Sequence, residues 1–448
     1  MTQTVADLSQ AALDAATRAG ADAADVLVVD GTSISIDVRD GVLEQVERSE
    51  GIEIGLRVFA GKRQASVSIS DSRPEAIARM AERAIAMARE APEDPHAGLA
   101  APEQLATETA SDTLELFDPG DEPSAAELEE AARTAEAAAR AVPGVTMIDS
   151  ASAAYGRRAI HLAATNGFSA GYTRSDRSQS CVAIAGEGTG MERDYDFDHR
   201  VFQADLREAE EIGRIAGERA VERLSPRKPR TGTYPVLFDE RIAASLVGHL
   251  LSAINGMMIA RGSSWLRDAM GERVLPEGID LIEEPHRPRA TGSRLFDAEG
   301  LPTFRRAIVE DGVLTGWTLD LATARKLGLQ STANAARGTG GPPSPSVSNV
   351  ALSQGPKSRA NLLADMGTGL LVTSMIGSTI NPNTGDYSRG ASGFWVEGGE
   401  VVYPVSEITV AGNLREMLGR IVPANDARPH LSRVVPSILI DGLALAGS

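Results

Sequence analysis

The stretch DERIAASLVGHLLSAINGM, Asp239 to Met257, sets a single histidine, His249, in the middle of an apolar helical pattern. Asp239 suits an N-cap, Glu240 the first turn, and Asn255-Gly256 a stop. An imidazole placed this way can be a metal ligand, a proton carrier or a packed core residue. Catalytic zinc takes three protein ligands and keeps one position open. No H-E-x-x-H is present, the six histidines are scattered singly, and Cys181 is the one cysteine, so no C-x-x-C exists. No G-x-S-x-G elbow frames a serine nucleophile. On chemistry alone, His249 reads as a packed or hydrogen-bonded helix residue.

Two glycine-rich stretches invite a phosphate-loop reading. GEGTG, Gly186 to Gly190, is followed by the polar and broken MERDYDFDHR instead of a helix, so it reads as a hairpin or loop. GTGGPPSPSVSN, Gly338 to Asn349, lacks the Lys-Ser or Lys-Thr of a Walker loop and reads as a long surface loop of the kind that borders a cleft. Cys181 lies in an alternating strand pattern and reads as a buried structural thiol.

The elements that must position these residues follow from periodicity. A helix over Val5–Arg18, strand-like runs DVLVVD, SISIDVR, VLEQVERS, IEIGLRVFA and RQASVSIS, and a closing helix PEAIARMAERAIAMAREA form a first unit, residues 1–92. A Pro-, Ala- and acid-rich linker covers 93–122. The same order of helix, antiparallel meander and helix returns over 123–225. SPRKPRTG marks a second boundary. The largest region, 232–448, begins with the strand YPVLFD and the His249 helix and is otherwise β-rich, with hairpin turns at Asp311-Gly312 and Gly398-Gly399. The fold class is therefore α+β: two N-terminal helix–meander–helix units and a β-rich C-terminal domain.

Composition narrows the function. A formal net charge of -18 argues against nucleic-acid binding and for protein, peptide or small-molecule partners. The single cysteine fits a reducing compartment. The opening lacks a basic and apolar leader pattern, and no apolar run approaches a membrane span, so the expected location is cytoplasmic, with no membrane partner.

Beyond composition, the C-terminal GSTINPNTGDYSRGASGFWVEGGEVVYPVSEITVAGNL closely resembles the hallmark segment of the TldD/PmbA family, on the PmbA (TldE) side. GSRLFDAEGLPTFRRAIVEDGVLTGWTLD and STANAARGTGGPPSPSVSN resemble two further blocks, and DVLVVDGTSISIDVRDGVLEQVERSEGIEIGLRVFAGKRQASVS resembles the opening domain. The resemblance covers most of the chain in the right order. It implies that TldD-type members are metallopeptidases carrying H-E-x-x-x-H on a helix, with a C-terminal cysteine as a further zinc ligand. PmbA/TldE-type members lack that set and pair with a TldD-type subunit to cleave short or unfolded peptides.

Carried onto this sequence, the first motif histidine falls on Ala244, the glutamate on Ser245 and the second histidine on His249; the C-terminal cysteine has no counterpart. The implied reading is a dismantled zinc site: no catalytic residue and no metal ligand set in this chain, no cofactor of its own, and zinc in a TldD-type partner. Residues five apart on an ideal helix diverge by about 140°, so aligning them on one metal needs a widened turn, which Gly248 would ease; the alternative is that Gly248 only permits close packing. Candidate substrate-binding residues lie in NPNTGDYSRGASGF: Asn381, Asp386, Tyr387, Arg389 and Phe394, unless that loop only buttresses a dimer. Phe394 and Trp395 are expected to anchor a subunit interface in the C-terminal region, giving a homodimer when the chain is isolated. Two other readings stand beside this one: a stand-alone hydrolase using His249, and a peptide-binding scaffold without a peptidase partner.

Overall fold

The computed structural model describes residues 3–447, the side chain of Ser378 excepted. Helix α1 (Val5–Arg18) begins where Thr4 accepts from the Asp7 amide at 3.1 Å and the Asp7 carboxylate accepts from the Thr4 amide at 2.9 Å. Ser124 and Glu127 repeat this reciprocal cap at the start of α3 (Ala125–Arg140). Each box satisfies amides that a helix start leaves free. Strands β1 (Ala23–Arg39), β2 (Val42–Ala60) and β3 (Arg63–Ile69) and helix α2 (Pro74–Glu90) complete the first unit. After α3, strands β4 (Val145–Ala164), β5 (Ser169–Ala185) and β6 (Glu192–Arg200) and helix α4 (Ala209–Glu222) complete the second.

The two units share one sheet, ordered β3-β2-β1-β4-β5-β6, because β1 pairs antiparallel with β4 as well as with β2. The strand runs that look separate in sequence are continuous. DVLVVD and SISIDVR are one strand broken in composition by Gly31, and VLEQVERS and IEIGLRVFA are one strand broken by Gly51; these glycines lie opposite each other in the β1–β2 register. All four helices pack on one face. Val26, Val28, Ile54 and Leu56 meet α1 and α2, while Ala151, Cys181 and Ala183 meet α3 and α4.

Strand β6 shows that MERDYDFDHR, polar as it is, is not broken. It pairs with β5 from Arg177↔Arg200 to Ala185↔Glu192. Its pattern is inverted: Asp194, Asp196 and Asp198 are buried, while Tyr195 and Phe197 are exposed. The buried carboxylates are neutralised by arginines. Asp194 binds Arg223 and Arg241, Asp196 binds Arg207 and Arg219, and Asp198 binds Arg200. Buried charge is tolerated when it is paired and hydrogen-bonded. GEGTG is the connection between β5 and β6, a short 3-10 turn at Gly188–Gly190, as its context suggests.

In the C-terminal domain, β7 (Gly232–Phe238), β8 (Gly369–Ile380), β9 (Asp386–Glu397), β10 (Glu400–Asn413) and β11 (Ile438–Ala446) close into a five-stranded barrel. β7 lies parallel to β8, and the β10–β11 and β11–β7 pairings complete the ring. Helix α5 (Glu240–Ala253) follows β7 directly and shares one core with residues from all five strands, among them Phe238, Val372, Ala391, Val405 and Leu443. The segment 93–122 is not a loose tether. Leu114 and Leu116 are buried, and Arg325 of the C-terminal domain donates to the carbonyls of His96, Gly98 and Leu99.

Candidate functional site

Asp239 caps α5 by accepting from the Arg241 amide at 3.1 Å. The helix buries Ala243, Leu246, Val247, Leu250 and Leu251 in the barrel core. It is a regular α-helix throughout, with no widened turn. A Cβ at Gly248 would lie 3.2 Å from Nη1 of Arg433, so the glycine makes room for that guanidinium. Close packing is thus the reading of Gly248 that the geometry supports.

His249 faces β9. Its ring meets the Tyr387 ring edge-on, 5.9 Å between centroids. Its Nε2 is buried and has no hydrogen-bond partner among the described residues; the same is true of Ser245 Oγ one turn earlier. Burial, with the positive charge of Arg389 added, pulls the imidazole down to about 4. Ala244 packs partly buried against the same core. Tyr387 is 2% exposed, its hydroxyl lies 3.2 Å from Met375 Sδ, and burial pushes its phenol up to about 12. Arg389 donates from Nε to the Gly377 carbonyl at 2.7 Å.

This donor set does not fit a zinc ion. One imidazole beside a phenol held protonated and a guanidinium offers no second ligand, and a cation opposes a second cation. Among the described residues no group of three or more His, Cys, Asp or Glu side chains is placed to hold a metal. Cys181 is buried between the sheet and α3/α4 of the middle unit.

The five substrate candidates do not form one wall. Tyr387 and Arg389 lie with His249. Asn381 and Asp386 are exposed in the β8–β9 turn: Asn381 Oδ1 accepts from the Asn383 amide at 3.0 Å, and Asp386 accepts from Thr384 Oγ1 at 2.6 Å and Asn413 Nδ2 at 3.2 Å. Those bonds hold the Asp386 carboxyl below its ordinary range. Phe394 belongs to a separate apolar cluster outside the barrel core, with Leu237, Leu362, Met366 and Leu371. Trp395 corrects the interface expectation. It is 5% exposed, packs edge-on against Tyr234 and is stacked on Tyr403, and its indole donates to Glu397 Oε1 at 3.0 Å. Tyr387, Ala391 and Trp395, four residues apart along β9, share its barrel-core face. Trp395 is therefore a core residue, not a surface anchor.

Sequence models of the PmbA/TldA metallopeptidase match three consecutive stretches: its domain 1 over 24–88, its central domain over 118–224 and its C-terminal domain over 231–447. The chain is 39% identical to metalloprotease PmbA of Escherichia coli O157:H7 over 95% of its own length and 92% of that protein. The chain belongs to the PmbA/TldD metallopeptidase family. A second PmbA homologue, from Haemophilus influenzae, is 34% identical over 98% of this chain and 95% of its own. Among solved structures, a Bacteroides thetaiotaomicron protein bearing the name modulator of DNA gyrase superposes with a TM-score of 0.91 at 27% identity, covering 98% of each chain. TldE from Thermococcus kodakarensis shares the fold, with a TM-score of 0.84 over 98% of this chain and 100% of that one at 21% identity. The PmbA/TldD matches span both N-terminal units and the barrel. Among the described residues no helix is long and apolar enough to cross a membrane.

Proposed function

We infer that this chain is a non-catalytic, PmbA/TldE-type subunit that completes the peptide chamber of a TldD-type zinc peptidase. One observation carries the reading. At the positions of the family's catalytic helix stand Ala244, Ser245 and a His249 set edge-on to Tyr387 and under the charge of Arg389, with no metal-holding cluster among the described residues. Zinc catalysis needs a filled ligand set and a base near neutral pKa, and a serine hydroxyl supplies neither. The zinc and the base then belong to the partner. This subunit contributes walls, stability and backbone edges that accept extended peptides of varied sequence. Short or unfolded peptides in the cytoplasm are the expected substrates, and a homodimer is the expected state without the partner.

Co-expression with the TldD-type protein of the same organism tests this. A stable two-subunit particle that cleaves unfolded peptides is expected, with about one zinc per pair, and His249→Ala in this chain is expected to leave kcat within a few-fold. Zinc bound stoichiometrically by the isolated chain, or peptidase activity from it that His249→Ala abolishes, would overturn the reading. Light scattering on the isolated chain checks the homodimer.

A further inference from the structure

The sheet shared by the two N-terminal units has a second face, away from the helices, and the C-terminal domain covers only part of it. Gly55 is the closest point of approach: a Cβ there would lie 2.2 Å from the Thr339 carbonyl oxygen. Beside it, the Arg337 side chain is wholly buried, binds Asp25 and donates to the Gly55 carbonyl at 3.0 Å. Next to this clamp the two surfaces separate and leave a cleft of about 370 Å³. Gly338 and Thr339 border it, as expected of their loop. A volume of this size suits a small ligand or two to three residues of a peptide.

The lining is organised by strand register. Glu53, Val29, Ile160 and Tyr172 form one row across β2, β1, β4 and β5, and Leu27 and Leu162 lie in the next row. Phe296 of the C-terminal domain walls the far side, edge-on to Tyr172 at 5.7 Å. Apart from Glu53, the floor is apolar. The charge around it is mainly guanidinium. Arg294 spends both Nη atoms on carbonyls, Ala335 O at 3.2 Å and Ser346 O at 2.8 Å, and its Nε is buried without a partner among the described residues. Arg337 shares the Asp25 carboxylate with Arg57.

Arg158 is different again. It is exposed at the rim and makes no ion pair or hydrogen bond among the described residues. Arg174 lies opposite it in the β4–β5 register, holding Thr291 and Ser293 carbonyls. Asp176 feels Arg158 electrostatically but pairs with His199 at 3.7 Å. The cleft's own carboxylates are already engaged. Glu53 accepts from Thr339 Oγ1 at 2.8 Å, and Asp297 accepts from the Glu299, Leu301 and Ala335 amides. In a chain with 62 acidic and 44 basic residues, a rim cation beside a second cation and over an apolar floor calls for an anion.

We propose that this cleft binds a small apolar molecule bearing a carboxylate, with Arg158 taking the carboxylate and Val29, Ile160, Leu162 and Tyr172 taking the apolar body. The C-terminal end of a short apolar peptide and a simple apolar acid share this chemistry. The site needs no metal and no partner subunit, so it stands or falls separately from the subunit role. Calorimetric titration of the isolated full chain with N-acetyl-Leu-Leu, its C-terminal amide and hexanoate is the test. Saturable binding of the acid is expected, about tenfold or more weaker for the amide, because a charge-assisted hydrogen bond is lost. Arg158→Ala is expected to weaken the acid by a similar factor. Arg157→Ala is expected to have no effect, because Arg157 points to the other side of the strand, toward Phe117. Hexanoate binding as tightly as the dipeptide would identify a simple acid, and tighter dipeptide binding a peptide end; either supports the site. No saturable binding, equal affinity for acid and amide, or an Arg158→Ala chain that binds like wild type would overturn it.

Discussion

Arg241 on α5 donates from Nη1 to Oδ1 of Asp194 on β6 at 3.0 Å, and both side chains are at least nine-tenths buried. Arg223, which ends α4, reaches the other oxygen of the same carboxylate at 3.2 Å. One aspartate thus fastens helix α5 to the middle unit. Asp194→Ala leaves two largely buried guanidinium groups facing an empty position. A loss of about 3–5 kcal/mol is expected, read as a lower urea midpoint. Glu218→Ala, which breaks the exposed Arg214–Glu218 pair at 2.7 Å, is expected to leave the urea midpoint near wild type.

Gly55→Ala tests the clamp between the first unit and the C-terminal domain. Its Cβ would meet Thr339 backbone at 2.2–2.7 Å, which no side-chain rotation relieves. A loss of about 1–3 kcal/mol is expected, together with faster proteolysis within 337–345. Gly51→Ala, with nothing within 4 Å of its Cβ, should leave both readouts near wild type.

Acid should weaken the fold through its depressed histidines. Burial and Arg389 lower His249 to about 4, and burial and Arg200 do the same for His430. Unfolded, both titrate near the ordinary value of 6.5. The unfolded chain therefore takes up protons first. Their contribution is complete above about pH 6.5 and is lost as pH falls toward 4, at no more than about 1.4 kcal/mol per pH unit for each group. A His249→Gln/His430→Gln variant should lose stability less steeply across this window in denaturant titrations. An unchanged slope would show that other groups set the acid limit.

Cys181 should be inert in the native state. It is fully buried, and burial pushes its thiol up to about 12. Thiolate is the reactive form, so alkylation by iodoacetamide at pH 8 is expected only after unfolding. Mass spectrometry of native and denatured samples distinguishes the two cases.

Much of this architecture is legible in the sequence because its helices announce themselves. Val5–Arg18 matches α1 residue for residue, and the second unit repeats the pattern of the first. Strand continuity is not legible where Gly31 and Gly51 interrupt the alternation, since nothing local reveals that they will face each other. Strand β6 is missed because its buried face is Asp194, Asp196 and Asp198, whose arginine partners come from elements distant in sequence. Trp395 reads as a surface anchor because it follows a polar loop; it lies inside because it continues the alternation of Tyr387 and Ala391 on the barrel-core face of β9, and which face is inward is decided only when the barrel closes. The single histidine on α5 is visible at once, but Tyr387 and Arg389 become its neighbours only when the barrel forms. The cleft at Arg158 has no sequence signal of its own. It arises from strand register between residues more than a hundred positions apart.

The sheet that joins the first two units also sets an order of events during synthesis. Strand β1 is internal in the finished sheet, bonded to β2 on one edge and to β4 on the other. Residues 1–92 contain β2 and both covering helices but not β4, so a nascent chain of that length has one long open edge along Val26 to Val38. Such an edge is a template for pairing with other chains. It stays open until residue 164 has left the ribosome. A gene fragment ending at the first boundary is therefore expected to aggregate, whereas one ending after α4 would carry its own lid.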